Sequence, residues 1–399
     1  MLKIKPNIEI KATCPHCQNY LSSNGVLWQG IHVCYEATCS ECNTAIVGDL
    51  PVGHADPYSF QVDLEKGILF GGDLGRKELG EPLFDSLQNP AQEAIEIKKE
   101  VFKELNKVII LNCIDCLYGH SLLKLLNAQR HLEVHPELGL IAIVPQLLRW
   151  MVPDGVAEIW TVNLPLKRSK LYFPVFDRFV REECQRFEEI YVSKAYSHPG
   201  YFDISRFTKV AKHNFESPDF RITFIWREDR LLLKQFSFKL LKKLGLVKWG
   251  FALQNRRIVK VFSEIKKKIP KAKFSVTGLG TSTKFPDWID DKRVTKFDEK
   301  TERKICEIYA ESRLVIGIHG SNMLLPSAHA GMTIDLMPTD RWGNFAQDIL
   351  YQEEDPRFAS FRYLYLPLSV PLKELGFIAG TMVQKRQHFY SNMAADKRK

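Results

Sequence analysis

The stretch Ser312-Arg313-Leu314-Val315-Ile316-Gly317-Ile318-His319-Gly320-Ser321-Asn322 decides the fold. Its apolar run does not alternate with polar residues, and it closes in a polar bend containing glycine. A strand buried on both faces reads this way where it hands over to a helix. Asn322–His329 then reads as that helix, closed by Gly331, and Thr333-Ile334-Asp335-Leu336-Met337 as the next strand. Upstream, Arg221–Trp226 reads as a strand and Asn255–Ile269 as a helix stopped by Pro270. Lys273–Thr277 reads as a strand ending in Gly278-Leu279-Gly280, and Glu302–Ser312 as a helix. Strands alternating with helices predict a parallel sheet covered on both faces.

The same alternation occupies the preceding part of the chain. Val108–Leu111 reads as a strand, Ser121–Leu132 as a helix, and Gly139–Val144 as a strand ended by Pro145. Helical Gln146–Met151 leads to a further strand at Ala157–Trp160. The expectation is an α/β protein with two Rossmann-like domains, 104–215 and 216–399. The second carries a C-terminal helix from Pro371 and a basic tail, Lys397-Arg398-Lys399. A length of 399 residues fits two to three domains at roughly 150 residues each. Residues 51–103, rich in Gly and Pro, read as a connecting segment that ends in a helix within the charged stretch Ala94–Leu105.

Composition narrows the class further. At 45% hydrophobic and 26% charged residues the chain is globular. No run of 18 apolar residues occurs, so no integral membrane segment is expected. The N-terminal Met1–Pro6 has no apolar core of a secretory signal, and nine cysteines then point to thiols or metal ligands in a reducing compartment. A cytoplasmic location, possibly peripheral at a membrane, is the expectation. The net charge is +9, and it is concentrated: Arg221–Lys273 holds 16 Lys/Arg against Glu228, Asp229 and Glu264. Such a block predicts an anionic ligand.

Residues 1–50 contain Cys14-Pro15-His16-Cys17 and Cys39-Ser40-Glu41-Cys42, with 21 residues between the pairs. Two CxxC knuckles at this separation, with strand-like residues between them, predict a zinc ribbon with Cys14, Cys17, Cys39 and Cys42 as ligands. A four-thiolate site is closed, so this zinc is structural. Cys34 and His16 read as bystanders, and a redox disulfide is the alternative. The module carries three lysines against four acids, which disfavours a grip on nucleic acid and leaves a protein partner as an option. Cys113 and Cys116, a further CxxC, read as packing cysteines.

Three loops after strands are candidate ligand sites, because open α/β sheets bind at the carboxyl ends of their strands. Leu117-Tyr118-Gly119-His120-Ser121 offers His120 as a general base or hydroxyl ligand, or as a surface histidine. Trp226-Arg227-Glu228-Asp229-Arg230 offers two guanidiniums able to clamp a diphosphate, or a pair salt-bridged to Glu228 and Asp229. Gly317–Asn322 offers a helix start, with Gly320 allowing close approach and Ser321 as N-cap, where an anion would fit. It matches neither the GxGxxG fingerprint nor the P-loop. Asp335 could reach a ribose hydroxyl or be a plain strand-end carboxylate. His329 reads as a core histidine.

The Arg227–Arg230 turn, the Gly317-x-His319-Gly320-Ser321 loop and the following Asp335-Leu336-Met337-Pro338 strand resemble the catalytic half of GT-B glycosyltransferases, most closely the family-61 type. The Gly119-His120 turn is similar to the histidine turn in that family's first domain. The resemblance spans about residues 105–345. It departs at Asp335, where the family usually has Glu, and in the added ribbon and the basic stretch Lys234–Lys248. It implies that Arg227 and Arg230 neutralise a nucleotide diphosphate leaving group and that Gly278, His319, Gly320, Ser321, Asn322 and Asp335 line the donor site. His120 would face the sugar-transfer site from the other domain. No DxD pair flanked by strands is present, Asp290-Asp291 being a loop pair, so no catalytic metal is expected. Asp115 and Asp154 are further candidates for the base.

The function expected is metal-independent transfer of a sugar from a UDP- or GDP-linked donor to a glycan or lipid-linked acceptor. Two other readings remain: a zinc-ribbon protein tracking nucleic acid with segment 221–273, and an inactive GT-B-like scaffold.

Overall fold

The first unit of the computed structural model, Met1–Asp203, contains two sheets. Its strands are β1 (Leu2–Lys5), β2 (Ser23–Trp28), β3 (Val33–Thr38), β4 (Ala45–Asp49), β5 (Phe60–Asp63), β6 (Ile68–Gly71), β7 (Glu96–Val101), β8 (Lys107–Asn112), β9 (Gly139–Pro145), β10 (Glu158–Asn163) and β11 (Glu189–Val192). Strands β2 to β6 form an antiparallel meander. The other sheet runs β1-β11-β8-β9-β10-β7, with β11, β8, β9 and β10 parallel and the two edge strands antiparallel. Val108, Ile109, Ile110 and Leu111 are all buried, as their unbroken apolar run requires.

The second unit, Ile204–Lys399, holds β12 (Arg221–Trp226), β13 (Lys273–Gly278), β14 (Ile289–Asp291), β15 (Ser312–Ile318), β16 (Met332–Met337) and β17 (Tyr363–Pro367). All six are parallel in the order β14-β13-β12-β15-β16-β17. Counted along the chain this is 3-2-1-4-5-6, the doubly wound Rossmann order. Helices Val247–Lys268 and Leu372–Ala394 pack on one another and bury Phe251, Ile258, Val261, Phe262, Leu375 and Ala379 in the core around β12 and β15. Helix Glu299–Glu311 is capped by Asp298, whose carboxylate accepts from Thr301 N–H at 2.8 Å. The structure describes residues 1–233, 240–281, 283–351, 353 and 355–394. The Lys234–Lys239 part of the basic stretch and the Lys397-Arg398-Lys399 tail lie outside the described residues.

The protein is thus two Rossmann-like α/β units, the first preceded by a small four-cysteine module. Four local expectations need correction. Asp290 and Asp291 form no loop pair; they lie in strand β14, paired with β13. Residues 51–103 do not merely connect: β5 and β6 extend the module's sheet. Nor do they end in a helix. Glu96–Val101 pairs along its whole length with β10, because Ile95 and Ile97 alternate onto the core. Glu96, Lys98 and Lys99 are exposed on this sheet edge, where charges discourage further strand pairing. Finally, Asn322–His329 is a 3-10 turn, Ser321–Met323, followed by a short helix, Leu324–His329.

The cysteine module shares its core with the α/β sheet. Trp28, Val33 and Tyr35 pack into one cluster with Val108, Ile110, Ile141 and Trp160. Two buried polar ties reinforce it: Asn112 Nδ2 donates to the Gly30 carbonyl at 2.7 Å, and Trp28 N–H to Asp177 Oδ1 at 2.8 Å. About fifty residues cannot bury much apolar surface alone, and here the neighbouring sheet supplies the missing partner face.

Candidate functional site

In the second unit the strand order reverses between β12 and β15, so their carboxyl ends open on the crevice where such sheets bind ligands. The two loops singled out in the sequence leave those strands and meet there. Arg230 Nη1 donates to the His319 carbonyl at 2.6 Å, and Arg227 Nη1 reaches the same carbonyl at 3.4 Å and Asn322 Oδ1. Arg227 also forms a fork with Asp229, at 2.8 and 2.6 Å. Salt-bridging is therefore part of its role, whereas among the described residues Arg230 donates to the His319 carbonyl and to no carboxylate. Burial, Arg227 and Arg341 all depress the Arg230 guanidinium below its ordinary value. Asp229 and Asp340 act in the opposite sense on Arg230.

Gly320 makes this convergence possible. Its φ is +141°, a conformation that L side chains rarely adopt, and a Cβ there would lie 2.7 Å from Arg227 Nη1 and 3.2 Å from Arg230 Nη1. Gly278 has a different role: at φ +115° a Cβ would lie 2.1 Å from the Trp226 carbonyl, so it permits close packing of β13 on β12. Ser321 is exposed and does not cap the following turn; Gly320 stands at that position, with no side-chain cap.

His319 presents its backbone, not its ring, to the arginines. The ring is 3% exposed and turned into the sheet, with Nδ1 2.9 Å from Asp335 Oδ2 and 3.1 Å from Asp348 Oδ2. Burial works against its charge, but the two carboxylates win and lift it to about 9. Tyr363 donates to Asp335 at 3.1 Å and Tyr365 to Asp348 at 2.9 Å. Asp335 is fully buried in this cluster and does not stand free at the strand end, where a ribose contact would need it. It anchors the loop through the His319 imidazolium. Sequence reasoning missed Asp348, Tyr363 and Tyr365.

In the first unit, the parallel order β11-β8-β9-β10 reverses between β8 and β11, and His120 follows β8 at the equivalent position. Its Nδ1 lies 3.2 Å from Asp115 Oδ1 and 3.2 Å from His54 Nε2, which is itself 3.5 Å from Asp115 Oδ2. Lys124 Nζ lies 2.9 Å from Asp115 Oδ2. Burial would raise the Asp115 pKa, but the Lys124 ammonium and hydrogen bonds from His120 and His54 hold it far below the carboxylate range. Two histidines and a carboxylate could in principle ligate a cation. The Lys124 ammonium already compensates Asp115 within that group. His54 and Lys124 were not singled out in the sequence. Asp154 follows β9 and a 3-10 turn.

The four predicted ligands converge in the module. Cys14 and Cys42 Sγ lie 3.5 Å apart, Cys17 and Cys39 3.4 Å, and Cys17 and Cys42 3.7 Å. A tetrahedron with metal–sulfur bonds of about 2.3 Å has edges of about 3.8 Å. Both knuckles close identically: Gln18 N–H donates to the Cys14 carbonyl and Asn43 N–H to the Cys39 carbonyl, each at 2.9 Å. Gln18 and Asn43 both have positive φ, 63° and 56°. Cys34 instead faces Asp49 at 3.5 Å, and His16 pairs with Asp63 at 2.8 Å, so neither is a ligand. The donor set fits a tetrahedral metal.

No protein-family profile matches the chain, so the family-61 resemblance gains no support there. No curated protein matches it either. Among solved structures, it is similar to Escherichia coli ADP-heptose LPS heptosyltransferase II at 10% identity and a TM-score of 0.40, over 70% of this chain and 99% of that one. A GtfA/B complex overlaps at 13% identity and TM-score 0.24, over 91% and 67% of the respective chains. TarM overlaps at 12% identity and TM-score 0.23, over 96% and 76%. Overlaps this loose assign no role to any residue.

Proposed function

We propose that the chain is a GT-B glycosyltransferase of the family-61 type, moving a sugar from a UDP- or GDP-linked donor to a glycan or lipid-linked acceptor hydroxyl. One observation carries the reading: Arg227 and Arg230 converge on the His319–Asn322 backbone at the switch point of a 3-2-1-4-5-6 sheet. In this reaction the acceptor oxygen bonds to the anomeric carbon, the bond from that carbon to phosphate oxygen breaks, and the nucleoside diphosphate leaves with the electron pair. The guanidiniums neutralise the charge it acquires, so no divalent cation is required. Gly320 and Asn322 shape the anion site, while Asp335 and the His319 ring hold the loop behind it.

His120 is the base. If its Nδ1–H donates to Asp115, Nε2 is left to take the acceptor's proton. The cysteine module holds a structural zinc. The nucleic-acid reading is weakened because the basic segment is divided: Arg221 is paired with Asp290 at 2.7 Å and with Glu311, and Arg227 and Arg230 serve the corner.

The test is thermal stabilisation of the purified chain by UDP, GDP and pyrophosphate, followed by turnover with a panel of nucleotide sugars. Arg230→Ala should lose at least one charge-assisted hydrogen bond, about 1.5–3 kcal/mol, weakening nucleotide binding roughly 10- to 150-fold. His120→Ala should bind nucleotide normally and not turn over. The reading fails if neither nucleotides nor pyrophosphate stabilise the wild type. Binding without turnover of any donor would leave the inactive scaffold.

A further inference from the structure

One surface is left unexplained by the sites above. Immediately after the arginine turn and the buried Leu231–Leu233, the stretch Leu240–Trp249 turns apolar side chains outward. Leu244 is 60% exposed and Trp249 63%, with Leu240 and Leu246 also exposed. Lys242, Lys243 and Lys248 are interleaved with them and exposed as well. Trp249 lies near the start of helix Val247–Lys268, and Arg256, Lys260 and Lys267 follow it at intervals of seven, four and seven residues, all exposed. Those intervals place them in one stripe along the helix. The opposite face of the same helix is the one committed to the core, through Phe251, Ile258, Val261, Phe262 and Ile265. No acidic residue occurs between Asp229 and Glu264, and Glu264 itself pairs with Lys267 at 2.8 Å.

Large apolar side chains alternating with lysines, beside a tryptophan and a cationic stripe, match one kind of partner well. At a bilayer surface, leucine and tryptophan side chains sit at the headgroup–acyl boundary and lysines pair with anionic headgroups. Nucleic acid would use the lysines and leave the leucines in water. We propose that the Leu240–Trp249 face and the Arg256–Lys267 stripe dock the second unit onto an anionic membrane surface. This holds whether or not the chain transfers sugars; access to a lipid-linked acceptor is a consequence that rests on the transferase reading.

The experiment is co-sedimentation of the full, zinc-loaded chain with vesicles of phosphatidylcholine alone and of phosphatidylcholine with 30 mol% phosphatidylglycerol, about a third anionic as in a charged leaflet. The wild type should bind the anionic vesicles, less at high salt, and leave the neutral ones largely free. Each lysine near such a surface is worth about fivefold in affinity, so Lys242→Gln, Lys243→Gln and Lys248→Gln together should weaken binding on the order of 100-fold. Leu244→Glu with Trp249→Ser should abolish it with the melting temperature unchanged; should that variant unfold, the lysine variant carries the test. Absence of anionic-vesicle binding, or equal binding by the lysine variant, overturns the proposal. So does self-association lost in the variants without any vesicle binding, which would make the face a protein interface. Nucleotide stabilisation should be the same in all these chains, which separates this outcome from failure of the transferase reading.

Discussion

The buried His319 imidazolium makes a quantitative claim about pH. Its pKa is lifted from 6.5 to about 9 by Asp335 and Asp348 against the opposing effect of burial. A group raised in the folded state stabilises fully below its unfolded pKa and loses that contribution as pH rises through the folded value. The window is therefore about pH 6.5 to 9, and at about 1.4 kcal/mol per pKa unit the loss is about 3 kcal/mol. Burial and Asp348 hold the Asp335 carboxyl up, to about 7, so its delayed ionisation slopes the same way at lower pH. His319→Gln removes the charge while keeping a polar side chain. Urea unfolding of wild type and variant at pH 6, 7.5 and 9 isolates the contribution. The wild type should lead by about 3 kcal/mol at pH 6 and converge on the variant by pH 9. For a unit this size, 3 kcal/mol corresponds to about 6–12 °C in melting temperature. A gap that stays constant across the range would mean that His319 is not a buried cation, and the loop's anchoring would need another explanation.

Two further outcomes follow from the geometry. Gly320→Ala forces a side chain into φ +141° and against both guanidiniums; it should cost about 1–3 kcal/mol of stability and also weaken UDP or GDP binding, checked by melting with and without nucleotide. Elemental analysis should find one zinc per chain. A chelator should melt the first unit selectively, because small zinc modules bind metal with about 10–16 kcal/mol and Cys14 and Cys39 belong to the core shared with Trp160; finding no zinc after gentle purification removes the assignment.

What was legible in the sequence follows from how each feature is encoded. Val108–Leu111 and Leu314–Ile318 are covered on both faces, so burial writes itself as an uninterrupted apolar run. The cysteine knuckles and the two ligand loops are short-range patterns, readable from spacing alone. Glu96–Val101 was not legible, because an edge strand keeps its charges and those charges imitate an exposed helix. The partners of the candidate groups were illegible for another reason. Asp348 reaches His319 from 29 residues away and His54 reaches His120 from 66 away; only the assembled sheet brings them together. The same holds for Lys124, which looks like an ordinary helical lysine until Asp115 is found beside it.

The two candidate sites share a topological position and differ in charge, and the difference is informative. Both follow the first strand of a parallel sheet, at the edge where strand order reverses. In the first unit that position holds a compensated cluster: Asp115 against Lys124, with His54 and His120 in contact with each other and with Asp115. In the second it holds two guanidiniums on one backbone carbonyl, with the Arg230 charge disfavoured by burial and then by Arg227 and Arg341. A compensated cluster gains little from binding an ion, whereas a crowded cationic corner is relieved by one. On the proposed transferase reading, His120 would take the acceptor's proton and the arginine corner would hold the leaving diphosphate. Exchanging the charges should separate the two roles: Lys124→Met should disturb turnover through Asp115 and His120 while leaving nucleotide stabilisation intact. An equal loss of both would show that the two sites are not independent, and the division of labour would have to be abandoned.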